Sequence, residues 1–297
     1  MELAPLRSFL AVAREGHMTR AARHLHLSQP AVSAQIARLE EELGTSLFHR
    51  GPRGMELTAA GALFQRYVER AVVWLEDGRD AVDALQGLGR GTLSVGGGAT
   101  ATTYLLPPLL REFHEHYPGV RLYVREQGST AVVDALLAGS LDLGVVTLPV
   151  DPAVADALAI TPWVADDLRL VLPPEHPLHG QSTFAWSDLD GQPLVLFEGG
   201  TAVRRVIDAA LDARGVSPEI VMELRSIESI KRMVDQGIGA AFVSRFALPA
   251  PDAGLVPAEG AGDLTRTLAV AWRADRAPPP AASALLSLMA PGAPDAG

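Results

Sequence analysis

Cysteine is absent from the 297 residues, so the chain has no disulfide framework, no thiolate nucleophile and no cysteine-built metal centre. Long apolar runs are missing too. No window approaches the ~18 uninterrupted apolar residues of a membrane span, and the opening "MELAPLRSFLAVAREG" shows no basic segment followed by a long apolar core. The expectation is a cytoplasmic chain with no membrane partner. Motifs of catalysis are equally scarce. "FHEHYP" (His114, Glu115, His116) is not HExxH and places its histidines on different sides of a helix. His176 and His179 lie in a proline loop and read as solvated turn residues. "SVGGGAT" lacks the Gly-Lys-Ser/Thr of a phosphate-binding loop, and no serine, histidine and aspartate come with a nucleophile elbow. These absences argue against an enzyme and against a metal or cofactor.

Positive charge is also short, the formal total being −10. The deficit is unevenly placed. Residues 1–60 hold seven arginines against six acids, a formal +1, which leaves −11 for the remainder. An acidic bulk limits non-specific phosphate affinity without forbidding a locally positive reading surface.

Within those sixty residues, Leu3, Leu6, Phe9, Leu10 and Ala13 recur at helical spacing and predict an amphipathic helix stopped near Gly16. A short helix from about Thr19 to Leu25 follows. Ser28 can cap a third helix, and Pro30 is tolerated in its first turn. Val32, Ile36, Leu39 and Leu43 form one stripe of that helix, while Pro30, Ser33, Ala34, Ala37 and Arg38 fall opposite, with Gln29 at the exposed first turn. Small and hydrogen-bonding residues on an outer face suit entry into a major groove, because bulk would hold the helix away from the base edges. Glu40, Glu41 and Glu42 sit at the far end. "SLFHRGPRGMELTAAG" then reads as a hairpin wing offering Arg50 and Arg53 to phosphates. A small helical bundle with a solvated face fits the same pattern.

The order "AARHLHLSQPAVSAQIARLEEELG" followed by "LFHR…LT.AG" resembles the winged helix-turn-helix of the LysR-type transcriptional regulators, and the resemblance extends over essentially the whole chain. It implies that Ser28, Gln29, Pro30 and Ser33 read promoter DNA, with Arg50 and Arg53 on the backbone; Arg38, on the outer face by its spacing, is a further DNA-binding candidate. Ala34 departs from it, standing where many members carry a long polar or basic side chain.

From residue 59 the chain runs to about 87 without proline, with Phe64, Val68, Ala71, Leu75, Gly78, Val82 and Leu85 stepping by alternating four and three, the spacing of a paired-helix seam. About 28 residues make a helix on the order of 40 Å long, more than one small domain covers. A second copy is the expected cover, and a helix folded back on its own domain is the alternative. The resemblance implies a homodimer, often assembled into a tetramer, with RNA polymerase as a further partner. "GLGRG", at Gly87–Gly91, reads as a flexible joint, with the hinge at 88–91.

The rest alternates β-rich and helical runs, the signature of α/β sheets. The predicted fold is multi-domain: a winged helix-turn-helix over 1–58, a linker helix over 59–87, and an α/β effector region of two Rossmann-like lobes. Lobe I spans 92–161 with 268–290, lobe II spans 162–267, and 291–297 form a loose tail. The lobes are expected to be joined by crossing strands near 161–167 and 263–268, as in type II periplasmic binding proteins, which the family's effector domain resembles. Ligands of such sheets bind beyond the carboxyl ends of the strands. Helix starts at Thr100–Thr103, Ser129–Thr130, Thr201 and Ser226 supply free N–H groups, dipole ends and hydroxyls, which together favour a small anion or carboxylate. Thr100, Thr102, Ser129 and Thr201 are the principal candidates, with Thr103, Thr147, Arg204 and Phe242 beside them, although any single Ser or Thr there is also an ordinary helix cap. The resulting reading is a regulator whose promoter binding responds to a small-molecule effector. A DNA-bending protein without an effector and a solute-binding protein are the alternatives.

Overall fold

Two compact units emerge from the chain, Met1–Val82 with Ala138–Ser140, and Asp83–Leu137 with Leu141–Gly297. The computed structural model describes residues 2–51, 54–84, 91–250 and 253–289. Arg53, Leu85, hinge residues 88–90, the tail 291–297 and the side chain of Val82 lie outside the described residues.

In the first unit, α1 (Leu3–Glu15), α2 (Met18–His24) and α3 (Gln29–Leu43) precede a two-stranded wing, β1 (Phe48–Gly51) and β2 (Gly54–Leu57), and then the long α4 (Ala59–Ala84). The apolar spacings of the three short helices converge as their periodicity requires: Phe9, Val12, Ala21, Val32, Leu39 and Leu47 are all 1% exposed or less. Between α2 and α3 the chain reverses through His26 in a left-handed conformation at φ 56°. The β1–β2 ladder is antiparallel, Phe48 opposite Leu57 and Gly51 opposite Gly54. Glu40, the first of the acidic triplet, accepts the backbone N–H groups of Leu47 and Phe48 at 2.6 and 3.2 Å and so ties α3 to the wing.

The start of α4 overturns part of the predicted seam. Val68 is buried in the core of this unit, Val72 joins it and Phe64 packs on it, its ring 5.4 Å from Phe9. Burying such a side chain stabilises the fold by roughly 1.5–3 kcal/mol, so the Phe64–Val68 stripe is committed to its own domain. The exposed apolar stripe is instead Leu63, Tyr67 and Leu75, with exposed Ala71 between them.

The first strand of the second unit is β3 (Gly91–Gly97), so Gly91, assigned above to the hinge, is the first residue of a strand and pairs with Val120. A π-helical turn (Ala101–Leu105) leads into α5 (Leu106–His116), followed by β4 (Val120–Glu126), α6 (Ser129–Leu137), β5 (Leu143–Thr147), the short α7 (Pro152–Ala155) and the 14-residue β6 (Leu158–Val171). Then come β7 (Thr183–Phe184), β8 (Pro193–Phe197), α8 (Ala202–Asp212), β9 (Glu219–Leu224), α9 (Ile227–Asp235), β10 (Ala241–Ser244), β11 (Val256–Pro257), β12 (Thr265–Arg273) and α10 (Pro280–Met289).

Six strands form one sheet in the order β10-β6-β12-β5-β3-β4. Strands β3, β4 and β5 are parallel, as strands joined through crossover helices must be. Strand β12 runs antiparallel to β5 and, from Thr265 opposite Asp167 to Arg273 opposite Leu158, to β6. Beyond Asp167, β6 continues and pairs with β10. β6 and β12 are therefore the strands that cross between lobes. Alternation along β5 and β12 sends Val145 and Val270 into one core with Leu93, Phe113 and Leu285, and Val146, Ala269 and Ala271 into another with Val132 and Leu136. Gly144 allows α6 to lie close on the sheet, since a Cβ there would meet Val132 Cγ1 at 2.4 Å. The second lobe has one core, built on β8 and β10 with Phe184, Trp186, Ile207, Ile230 and Phe242.

Candidate functional site

The first unit presents an exposed helix face. Ser28 caps α3, its Oγ accepting from the Ala31 N–H at 3.3 Å, with Pro30 in the first turn. With Val32, Ile36 and Leu39 buried, Ser28, Gln29, Pro30, Ser33, Ala34 and Arg38 are exposed. Arg38 is paired with Glu2 at 2.9 Å, both side chains about two-thirds exposed, a contact that contributes little and yields readily to a phosphate. Arg50 is exposed on β1. The face is thus small side chains and hydrogen-bonding groups on a helix start, flanked by arginine.

In the second unit, the carboxyl ends of β3, β4, β5, β8 and β10 meet around a cavity of about 490 Å³. Thr100, Ser129, Thr147 and Thr201 line it. The first turns of α6 and α8 contribute N–H groups with no intrahelical partner, and Gly200, at φ 81°, lets the loop after β8 turn into α8. Three of these hydroxyls have a local partner: Thr201 Oγ1 donates to the Glu198 carbonyl at 3.1 Å and accepts from the Arg204 N–H at 3.2 Å, Ser129 Oγ accepts from the Thr147 N–H at 3.0 Å, and Thr100 Oγ1 accepts from Arg266 at 2.8 Å.

Four expected residues do not line the cavity. Thr102 and Thr103 sit on the π-helical turn after Thr100, whose winding carries them off the lining side: the Thr102 hydroxyl bonds the Gly98 carbonyl and Glu126, and Thr103 faces solvent. Arg204 points into its own lobe, donating to Asp208 at 2.7 Å, to Glu223 at 2.6 Å and to the Phe197 carbonyl at 2.7 Å. Burial alone would lower its pKa; the bonds to Glu223 and Asp208 reverse the effect and raise it. The neighbouring Arg205, about 100° further round the helix, lines the cavity instead. Phe242 lies one pleat below the end of β10, fully buried beside Phe184 and Trp186, and Ser244 takes the lining place.

What sequence reasoning missed is a buried polar chain on the crossing strands. Asp166, wholly buried on β6, receives Arg266 Nε at 2.9 Å and the Ser244 hydroxyl at 2.7 Å, and Arg266 continues to Thr100. Arg266 and Ser244 line the cavity floor. The positions of Asp166 and Arg266 within their strands carry no local signal; only the register of β6 against β12, with Asp166 opposite Arg266, brings the pair together. At the rim, Arg225 donates to Glu198 at 2.6 Å, and this bond, with the nearby charge, raises the guanidinium pKa. Among the described residues no group of three or more His, Asp or Glu is placed to hold a metal, and His116 turns Nδ1 to the Glu112 carbonyl at 2.8 Å. No described helix is long and apolar enough to cross a membrane.

Comparison with known proteins places this geometry. Residues 3–62 match the bacterial regulatory helix-turn-helix of the lysR family, and residues 86–293 match the LysR substrate binding domain. A relative from Porphyra purpurea, described as a probable RuBisCO transcriptional regulator, is 37% identical over 249 residues, covering 83% of this chain and 78% of its own length. Full-length CbnR in complex with its target DNA superposes with a TM-score of 0.72 at 26% identity, covering 97% of this chain and 99% of that one. A full-length OxyR variant from Pseudomonas aeruginosa gives the same TM-score of 0.72 at 28% identity, over 97% and 93% of the two chains. With a lysR helix-turn-helix at one end and a substrate-binding domain over most of the remainder, the chain belongs to the LysR family of transcriptional regulators.

Proposed function

We propose that this regulator binds a small anionic effector in the 490 Å³ cleft, and that occupancy alters how its helix-turn-helix units engage promoter DNA. The convergence of the α6 and α8 N-termini with Ser129, Thr147, Thr201 and Arg205 on one cavity carries the reading. Aligned amides and the positive ends of two helix dipoles favour a carboxylate or phosphate. Arg266 already has Asp166 as counter-charge, whereas the bond that the Arg205 side chain makes is to a carbonyl, that of Gly200 at 2.9 Å. Arg205 is therefore the cation offered to the ligand.

On the DNA side, Ser28, Gln29, Pro30 and Ser33 are the base-reading group, with Arg38, Arg50 and Arg53 on phosphates. The exposed stripe Leu63, Tyr67 and Leu75 on α4 supports pairing with a second copy, so that a dimer sets two recognition helices in successive grooves. Tetramer assembly and contact with RNA polymerase complete the reading, which is of a cytoplasmic regulator without catalytic activity. The effector shifts the balance of arrangements only by its unequal affinity for them.

Calorimetric titration of the full chain with inorganic phosphate and short mono- and dicarboxylates tests the cleft. The expected result is saturable binding of at least one anion, weakened about tenfold or more by Ser129→Ala. No saturable binding by any of them overturns the anionic reading.

A further inference from the structure

The cleft also contains the opposite chemistry. Gln127, which follows β4, lines the cavity, and its Oε1 is buried with no hydrogen-bond partner among the described residues. Its backbone is fixed, the Gln127 N–H donating to the Gly97 carbonyl at 2.8 Å, so the side chain is held at the cavity wall by the strand next door. Glu126, the preceding residue and the last of β4, lines the cavity as well and accepts the Thr102 hydroxyl at 3.2 Å through one of its two oxygens. The carboxyl end of β4 is therefore an acceptor wall, two residues from the α6 N-terminus where the anion is placed.

An unmet buried acceptor is costly, and native folds leave few of them. The lining hydroxyls of Thr100, Ser129 and Thr201 are engaged locally, and among the described residues the Gln127 oxygen is the buried side-chain atom of the lining that protein atoms do not satisfy. A ligand made only of acceptors, such as propionate or succinate, would leave that oxygen unpaired and would set its own charge against Glu126. A ligand with a donor beside its anionic group satisfies both residues.

We propose that the effector is an anion bearing a hydrogen-bond donor, a hydroxyl or an ammonium, adjacent to its charge, and that Gln127 and Glu126 select for that donor. The inference rests on the anionic reading of the cleft.

The test uses the full chain and ligand sets matched in carbon skeleton that differ in the donor: propionate against lactate; succinate against malate and aspartate; n-propyl phosphate against glycerol phosphate. Affinities come from calorimetry, with thermal melting in parallel. In at least one set the donor-bearing member is expected to bind about tenfold tighter or more, because a site built to hydrogen-bond a group rejects the analogue lacking it. Malate against aspartate separates hydroxyl from ammonium. Gln127→Leu is expected to erase the preference, to leave the donor-free member unchanged, and to melt no lower than the wild type without ligand. Equal affinities within every set overturn this inference and leave the anionic cleft standing. A preference that survives Gln127→Leu, or a lower melting temperature in that variant, overturns the role given to Gln127. Absence of binding by every anion overturns the underlying reading and this inference together.

Discussion

Replacing Asp166 by leucine isolates the element that joins the two crossing strands. Asp166 is 0% exposed and the Arg266 side chain 8%, with N···O distances of 2.8 and 2.9 Å, so the carboxylate has no water to fall back on and the guanidinium has little, at the cavity floor. Removing the carboxylate strands a guanidinium whose remaining bond is to the Thr100 hydroxyl, and it frees the Ser244 hydroxyl as well. Breaking a buried pair in this way costs about 3–5 kcal/mol. At roughly 2–4 °C per kcal/mol for a domain of this size, the melting temperature falls by on the order of 6–20 °C. The double variant Asp166→Leu/Arg266→Met removes both charges and is expected to recover most of that loss, since apolar replacement of a whole buried pair is often neutral or stabilising. Urea and thermal melts followed by tryptophan fluorescence suit the measurement, because Trp163, Trp186 and Trp272 all lie in the second unit. The reasoning is refuted if the single variant stays within about 1 kcal/mol of wild type, or if the double variant is as unstable as the two single changes added together.

Three further outcomes follow from particular contacts. Val68→Ala should cost about 2 kcal/mol of stability in melts because it opens the first unit's core, whereas Leu75→Ala, at a position 58% exposed, should change stability by less than about 0.5 kcal/mol yet weaken self-association in sedimentation. Gln29→Ala should reduce operator affinity by about 1–3 kcal/mol and relax base preference, while Arg50→Ala should weaken binding uniformly across sequences, as competition assays on operator and random duplexes would show. The Tyr104 hydroxyl and Lys231 (at 2.9 Å) both donate to Glu228, which holds that carboxyl below its ordinary 4.5, the Tyr104 bond being the larger cause. A depressed carboxyl stabilises the fold above its unfolded pKa, and the contribution is lost as pH falls from about 4.5 through the lower folded value, so Tyr104→Phe should flatten the acid side of a melting-temperature profile between about pH 6 and pH 3.

Much of the fold was legible because it is written in local pattern. The stripes of α1 and α3, the cap at Ser28 and the β-rich runs that became β3, β5, β8 and β10 all obey short-range rules of period and punctuation. The cleft was legible in part for the same reason, since Thr100, Ser129 and Thr201 announce helix starts at strand ends. Where reading failed, the deciding quantity was not local. Phe64 and Val68 fit a dimer seam and a domain core equally well, and the choice depends on where Phe9 and Phe48 stand in space. Arg204 and Arg205 differ only in the side of the helix they face, which the strands beside α8 decide. Asp166 and Arg266, 100 residues apart, meet through strand register alone.

The central claim is that anion occupancy of the cleft governs DNA engagement. A footprint of the purified protein on the DNA upstream of its own gene, with and without inorganic phosphate and a panel of small carboxylates, and repeated with Ser129→Ala, tests it most directly. The account expects a protected region whose length or position shifts with at least one anion and shifts less in the variant. Protection that no anion alters, in wild type and variant alike, would contradict it.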